Sequence, residues 1–125
     1  MSPGLLKYIS FFLFISTFLY ADPIAKNYAK LKLLDKITNR VNEKNILANS
    51  VVEWDYLTIK IYACLSSPPE EIPENYVLIE VKDRLKKSNQ YIYRGWMISS
   101  APDVTPLEHP IYDLWLLGCS NDNTS

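Results

Sequence analysis

WDYLTIKIYAC, residues 54–64, decides the fold. Leu57, Ile59, Ile61 and Ala63 recur at every second position, with Tyr56, Thr58, Lys60, Tyr62 and Cys64 between them. A period of two places these two sets on opposite faces of an extended strand. The stretch therefore predicts a strand over Trp54–Cys64, with the Leu57 set facing a core.

The same period runs outward in both directions. Upstream, Leu31 and Leu33 alternate with Lys30 and Lys32, and Thr38–Asn39 supplies a turn before a weaker strand over Arg40–Ile46. LANS, residues 47–50, is a second turn signal. Downstream, SSPPEEIPE contains Pro68, Pro69 and Pro73, which forbid helix and ladder alike, so this segment is expected as a stiff extended loop. Strands are expected over Tyr76–Asp83, with Val77, Ile79 and Val81 inward, over Tyr91–Ser99, and over Ile111–Leu117. The polar run DRLKKSNQ links the first two of these, and Pro102, Pro106 and Pro110 exclude a long element between the last two. With five to six mostly antiparallel strands and no helical period, the expected fold is all-β, a small sandwich or partly open barrel. No Phe follows residue 18, so the Trp and Tyr side chains are expected to supply much of the core bulk.

At the N-terminus, Lys7 precedes the apolar run Tyr8–Ala21, which holds all four phenylalanines. A short positive region before an apolar core of ~7–15 residues is the pattern of a secretory signal peptide, and cleavage is expected after Ala21. The expected organisation is residues 1–21 as signal, 22–29 as a flexible leader, 30–119 as one β domain and 120–125 as a flexible tail. An uncleaved anchor is the alternative; if the signal is cleaved, no membrane span is expected to remain. Without Lys7, the remaining chain carries 12 Lys plus Arg against 14 Asp plus Glu, a formal charge of −2. That balance gives no basic footprint for nucleic acid and no polybasic membrane-binding surface. Two cysteines, Cys64 and Cys119, suit a single disulfide in an exported chain, with two buried free thiols as the alternative. No CxxC occurs and no cysteine lies near His109, so neither a metal site nor a cofactor is expected.

The rare residues gather in GWMISSAPDVTPLEHPIYDLWLLGC, residues 95–119. His109, the chain's one histidine, stands beside Glu108 and near Asp113, and Ser99 or Ser100 could be a nucleophile. No GxSxG pattern marks either serine. Pro110 directly after His109 favours a structural histidine that fixes the turn before the last strand. Glu70, Glu71 and Glu74 lack the tight oxygen spacing of a calcium loop and read as a solvated or partner-binding loop. Exposed Trp and Tyr on a sheet could bind a glycan or a protein, and Arg94 beside Trp96 could stack or hold an anion.

Three segments, LDKITNRV at 34–41, ACLSSPPEEIPENYVLIEV at 63–81 and the run at 95–119, together resemble the alphaproteobacterial family known as domain of unknown function 2155. The carrying residues are Cys64, Pro68, Pro69, Glu70, Glu71, Pro73 and Glu74, then Gly95, Trp96, Met97, Ser99, Ser100, Pro102, Leu107–Pro110, Tyr112, Asp113, Trp115 and Cys119. Asn39 stands where the family has a hairpin glycine, and Asn tolerates the positive φ such a turn needs. The resemblance implies an exported protein of the periplasm or cell envelope of a Gram-negative bacterium, with no established activity. The expectation is a non-enzymatic accessory or binding module that recruits an envelope protein or polymer. Its expected surface is built from Glu70, Glu71, Glu74, Arg94, Trp96, Ser99, Ser100, His109, Tyr112 and Asp113. A hydrolase using His109 with Glu108 or Asp113, and a carbohydrate-binding module using exposed Trp and Tyr, are the alternatives.

Overall fold

The computed structural model describes residues 22–87, 90–102, 106–107 and 109–123, so the expected signal segment lies outside it. Among the described residues there are eight strands and no helix: β1 (Ile24–Lys26), β2 (Tyr28–Asp35), β3 (Arg40–Leu47), β4 (Ser50–Trp54), β5 (Leu57–Ser66), β6 (Asn75–Asp83), β7 (Tyr91–Ile98) and β8 (Tyr112–Ser120). All pairings are antiparallel. One sheet runs β1-β5-β6-β7, with β4 sharing the β1 edge of β5; the other runs β3-β2-β8. The sheets pack as a sandwich and do not close into a barrel.

Two strands beyond the expected five to six come from places the alternation hid. Residues 22–29, expected as a leader, contain β1 and the start of β2: Ile24–Lys26 pairs with Cys64–Ser66 of β5. Asp55 and Tyr56, expected inside one long strand, form a two-residue hairpin that joins β4 to β5, with Trp54 opposite Leu57. Asp55 adopts φ 52°, a left-handed conformation that aspartate tolerates better than most residues. Asn39 and Asn49 also have positive φ, so both predicted asparagine turns form. The tail is tied down as well: Ser120 belongs to β8, and the Asn121 side chain accepts a hydrogen bond from the Asn27 N–H.

The core is aliphatic. Leu31, Leu33, Ile46, Leu57, Ile59, Ile61, Val77, Ile79 and Val81 are buried, each such side chain contributing roughly 1.5–3 kcal/mol. Among the described tryptophans and tyrosines only Trp54 and Tyr112 join them as buried residues, so the expectation that aromatics supply much of the core bulk is corrected. The strands carry enough Leu, Ile and Val at inward positions to fill the space between two small sheets.

Two β-bulges set the direction of the cysteines. In β5 the register with β6 shifts between Ile61 and Ala63, leaving Tyr62 as the extra residue. Plain alternation would turn Cys64 outward with Tyr62; the bulge turns it inward, opposite Val77. In β8 the register with β2 shifts across Leu117, which brings Cys119 opposite the buried Ala29. The two sulfurs meet between the sheets as the Cys64–Cys119 disulfide, with Cα atoms 5.7 Å apart.

Candidate functional site

His109 is buried at the end of the sandwich formed by the β2–β3 and β4–β5 turns. Its Nδ1 accepts hydrogen bonds from the N–H groups of Ile111 (3.0 Å) and Tyr112 (3.3 Å). A ring nitrogen that accepts carries no hydrogen, so the proton is on Nε2, which donates to Asp83 Oδ2 at 2.9 Å. Burial pushes the Asp83 carboxyl up, but the His109 hydrogen bond, the Leu85 N–H and the Lys86 charge outweigh it and hold it below 3.8. The Tyr112 ring packs against the imidazole, with centroids 5.2 Å apart. Burial and the Asp55 charge raise the Tyr112 phenol above its ordinary value.

This arrangement orients the last strand and leaves no ring nitrogen facing a substrate. Asp113 does not join it: its Oδ1 pairs with Lys36 Nζ at 3.2 Å, and the same ammonium donates to the His109 carbonyl. Glu108 lies outside the described residues. The candidate serines lie at the other end of the molecule. Ser99 is bonded to Asn75, the first residue of β6, whereas Asp83 is the last. Eight steps along a strand separate these two ends by about 26 Å. The alternative constellation of His109 with Asp113 and Ser99 or Ser100 as nucleophile is therefore not formed.

The serines belong instead to a polar corner beside the disulfide. Glu74 Oε1 accepts from the Asn75 N–H (3.0 Å), the Ser99 hydroxyl (2.9 Å) and the Ser100 N–H (3.1 Å), and Oε2 accepts from the Ser100 hydroxyl. Asn75 Oδ1 accepts from the Ser66 hydroxyl (2.8 Å) and the Cys119 N–H (3.2 Å). Burial acts to raise the Glu74 carboxyl, but these four donors win and lower it below 4.5. A lowered folded pKa contributes stability above the unfolded value, and that contribution is lost as pH falls through the folded one. Glu74→Ala is expected to cost about 2 kcal/mol at neutral pH and much less at pH 3, read from urea titrations at both pH values.

The PPEEIPE loop hangs from this corner. Ser67 N–H donates to the Glu74 carbonyl and its hydroxyl to the Ile72 carbonyl, while Glu71 N–H donates to the Pro68 carbonyl. Pro68 is buried, Glu70 and Glu71 are exposed, and Ile72 is 88% exposed. The ten expected surface residues are thus dispersed. Glu74, Ser99 and Ser100 meet at the disulfide corner, and Glu70 and Glu71 are exposed on the loop that hangs from it. Arg94 and Trp96 stand on the outer face of the larger sheet. His109 and Tyr112 are buried at the far end, with Asp113 beside them. Trp96 pairs with Leu78 on that outer face, whereas Trp115 lies on the outer face of the other sheet, opposite Lys32. These two tryptophans cannot form one sugar-stacking platform.

Among proteins compared by sequence, a family described as "Uncharacterized protein conserved in bacteria (DUF2155)" matches residues 29–119. The chain belongs to this family. A DUF2155 chain is thus an all-β sandwich whose matched region begins in β2 and ends at Cys119 of the disulfide. A curated protein similar to it, "Uncharacterized protein RP359" of Rickettsia prowazekii (strain Madrid E), is 28% identical over 97 residues. That alignment covers 75% of this chain and 63% of the relative, so the chain spans less than two thirds of the relative's length. No solved structure matches.

Two residues of this DUF2155 member matter more than their sequence surroundings suggested. Asp83, in a charged run that reads as a solvated connection, is the partner of His109, and its side chain is 7% exposed. Asn75 follows Glu74 unremarkably yet joins both sheets at the disulfide. Neither pairing leaves a mark in local alternation, because each partner lies 26 or more positions away.

Proposed function

We propose that the chain is an exported periplasmic or cell-envelope domain with a non-enzymatic role, recruiting an envelope protein through its PPEEIPE loop. The observation that carries this reading is the loop's preorganisation. Three prolines stiffen it, Glu74 pins it to Ser99 and Ser100, and its tip presents Ile72 to solvent beside Glu70 and Glu71. A rigid loop loses little entropy on binding, and an exposed aliphatic anchor flanked by acids suits an apolar pocket with a basic rim. The inter-sheet disulfide supports the export half of the proposal, since such bonds persist in oxidising compartments. The hydrolase alternative lacks support because both nitrogens of His109 are engaged within the fold.

A photocrosslinking residue at position 72, compared with one at the exposed Leu85, tests the recruiting surface in intact cells. A discrete protein adduct from position 72 and none from position 85 is expected. Equal adducts from both sites, or none from position 72, would overturn the loop assignment. Fractionation is separate: recovery of the chain in the cytosol with both thiols reduced would overturn export.

A further inference from the structure

The outer face of the larger sheet carries a second feature, independent of the PPEEIPE loop. Lys60, Glu80 and Arg94 are cross-strand neighbours on β5, β6 and β7. Glu80 points away from the core, since Ile79 and Val81 on either side of it point inward, yet it is only 7% exposed. The side chains around it cover it. Arg94 Nε donates to Glu80 Oε1 at 3.0 Å, and its guanidinium lies 5.0 Å from the Tyr91 ring centroid. Lys60 lies over Tyr62 and Lys82 over Tyr91, each at 4.5 Å. Three cations thus surround one carboxylate, a local formal charge of +2 on a chain whose total is −1.

Two hollows adjoin on this face. The larger, about 520 Å³, would admit a side chain and is bordered by Tyr62, Leu78, Glu80, Arg94 and the bare Cα of Gly95. Gly95 has φ 152°, and a Cβ there would meet nothing within 4 Å, so the hollow is open at that point. The other hollow, 230 Å³, lies toward Lys60, Lys82 and Tyr91.

We propose that this face binds an acidic peptide segment of a partner protein. One carboxylate is taken by Arg94, whose side chain is 67% exposed although its Nε is already fixed by Glu80. Guanidinium has five N–H donors in a rigid fork, so anchoring one edge pre-aims the rest at an incoming carboxylate. A second carboxylate is taken by Lys60, two strand spacings or about 10 Å away. An apolar side chain enters the larger hollow beside Leu78 and Tyr62. A glycan fits less well, because cations already cover the faces of Tyr62 and Tyr91 that a sugar ring would stack on.

The test is fluorescence anisotropy of the purified protein with a labelled peptide rich in glutamate with interspersed leucine. Its glutamine counterpart and polygalacturonate serve as alternative probes. Arg94→Gln and Lys60→Gln are each expected to weaken binding of the acidic peptide about tenfold. Lys32→Gln, which removes the same charge from the opposite sheet, is expected to leave it unchanged. Arg94→Gln strips Glu80 of a partner and could unsettle the sheet, so Lys60→Gln, checked for an unaltered melting temperature, decides that case. Equal binding of the glutamine peptide, equal losses in all three variants, or tight binding of polygalacturonate without the acidic peptide would overturn the proposal.

Discussion

Replacing Cys64 and Cys119 together by serine is expected to lower stability by about 4 kcal/mol. The bond closes a loop with a sequence separation of 55, and a loop of that length restricts the unfolded chain by about that amount. Small domains have total stabilities of roughly 5–15 kcal/mol, so the loss is a large share of the whole. At about 4–8 °C per kcal/mol, the melting temperature should fall by roughly 15–30 °C. Denaturant titrations of oxidised, reduced and double-serine protein measure this directly. A loss under about 1 kcal/mol would show that the packed core and the Asn75–Cys119 hydrogen bond hold the two sheets together without the disulfide.

His109→Ala is expected to cost about 3–5 kcal/mol. The substitution leaves the N–H groups of Ile111 and Tyr112 without their acceptor and the Asp83 carboxylate without its Nε2 donor. Each buried polar group left unpaired costs roughly 1–3 kcal/mol. His109→Asn should recover part of the loss, because an asparagine oxygen can take the place of Nδ1 while the Asp83 contact stays broken. Thermal unfolding of both variants separates the two halves of the network. The lowered Asp83 carboxyl adds a pH signature. Its contribution is present above the unfolded value near 3.8 and disappears as pH falls through the folded one. Wild type should therefore lose stability on acidification more steeply than Asp83→Asn, whose amide cannot titrate.

The sandwich was legible because its signal is local. Leu57, Ile59 and Ile61, and then Val77, Ile79 and Val81, alternate within single strands and are buried as that alternation requires. The turns at Asn39 and Asn49 were legible for the same reason: asparagine marks a backbone need at its own position. Other features depend on partners distant in the chain. β1 has only three residues and exists because β5 leaves an edge open beyond Tyr62. The Asp55–Tyr56 hairpin interrupts a run whose side chains alternate smoothly, so only the backbone reversal reveals it. The proposed surface split because the pairing of β7 with β6 brings Ser99 and Ser100 to Glu74, while the connection that follows them ends at His109 beside Asp83. Proximity at one end of a connection says nothing about where its other end is fastened.

The paired bulges at Tyr62 and Leu117 make chain length itself a determinant of this fold. Each acts as a half-period phase shift between an aliphatic stripe and the cysteine beyond it. Trimming one residue at either point would preserve hydrophobicity, charge and composition almost unchanged, yet rotate a sulfur from the interior to solvent. Substitutions at Tyr62 or Leu117 should thus be far better tolerated than deletions there. The count of residues, more than their identity, is what these two positions encode.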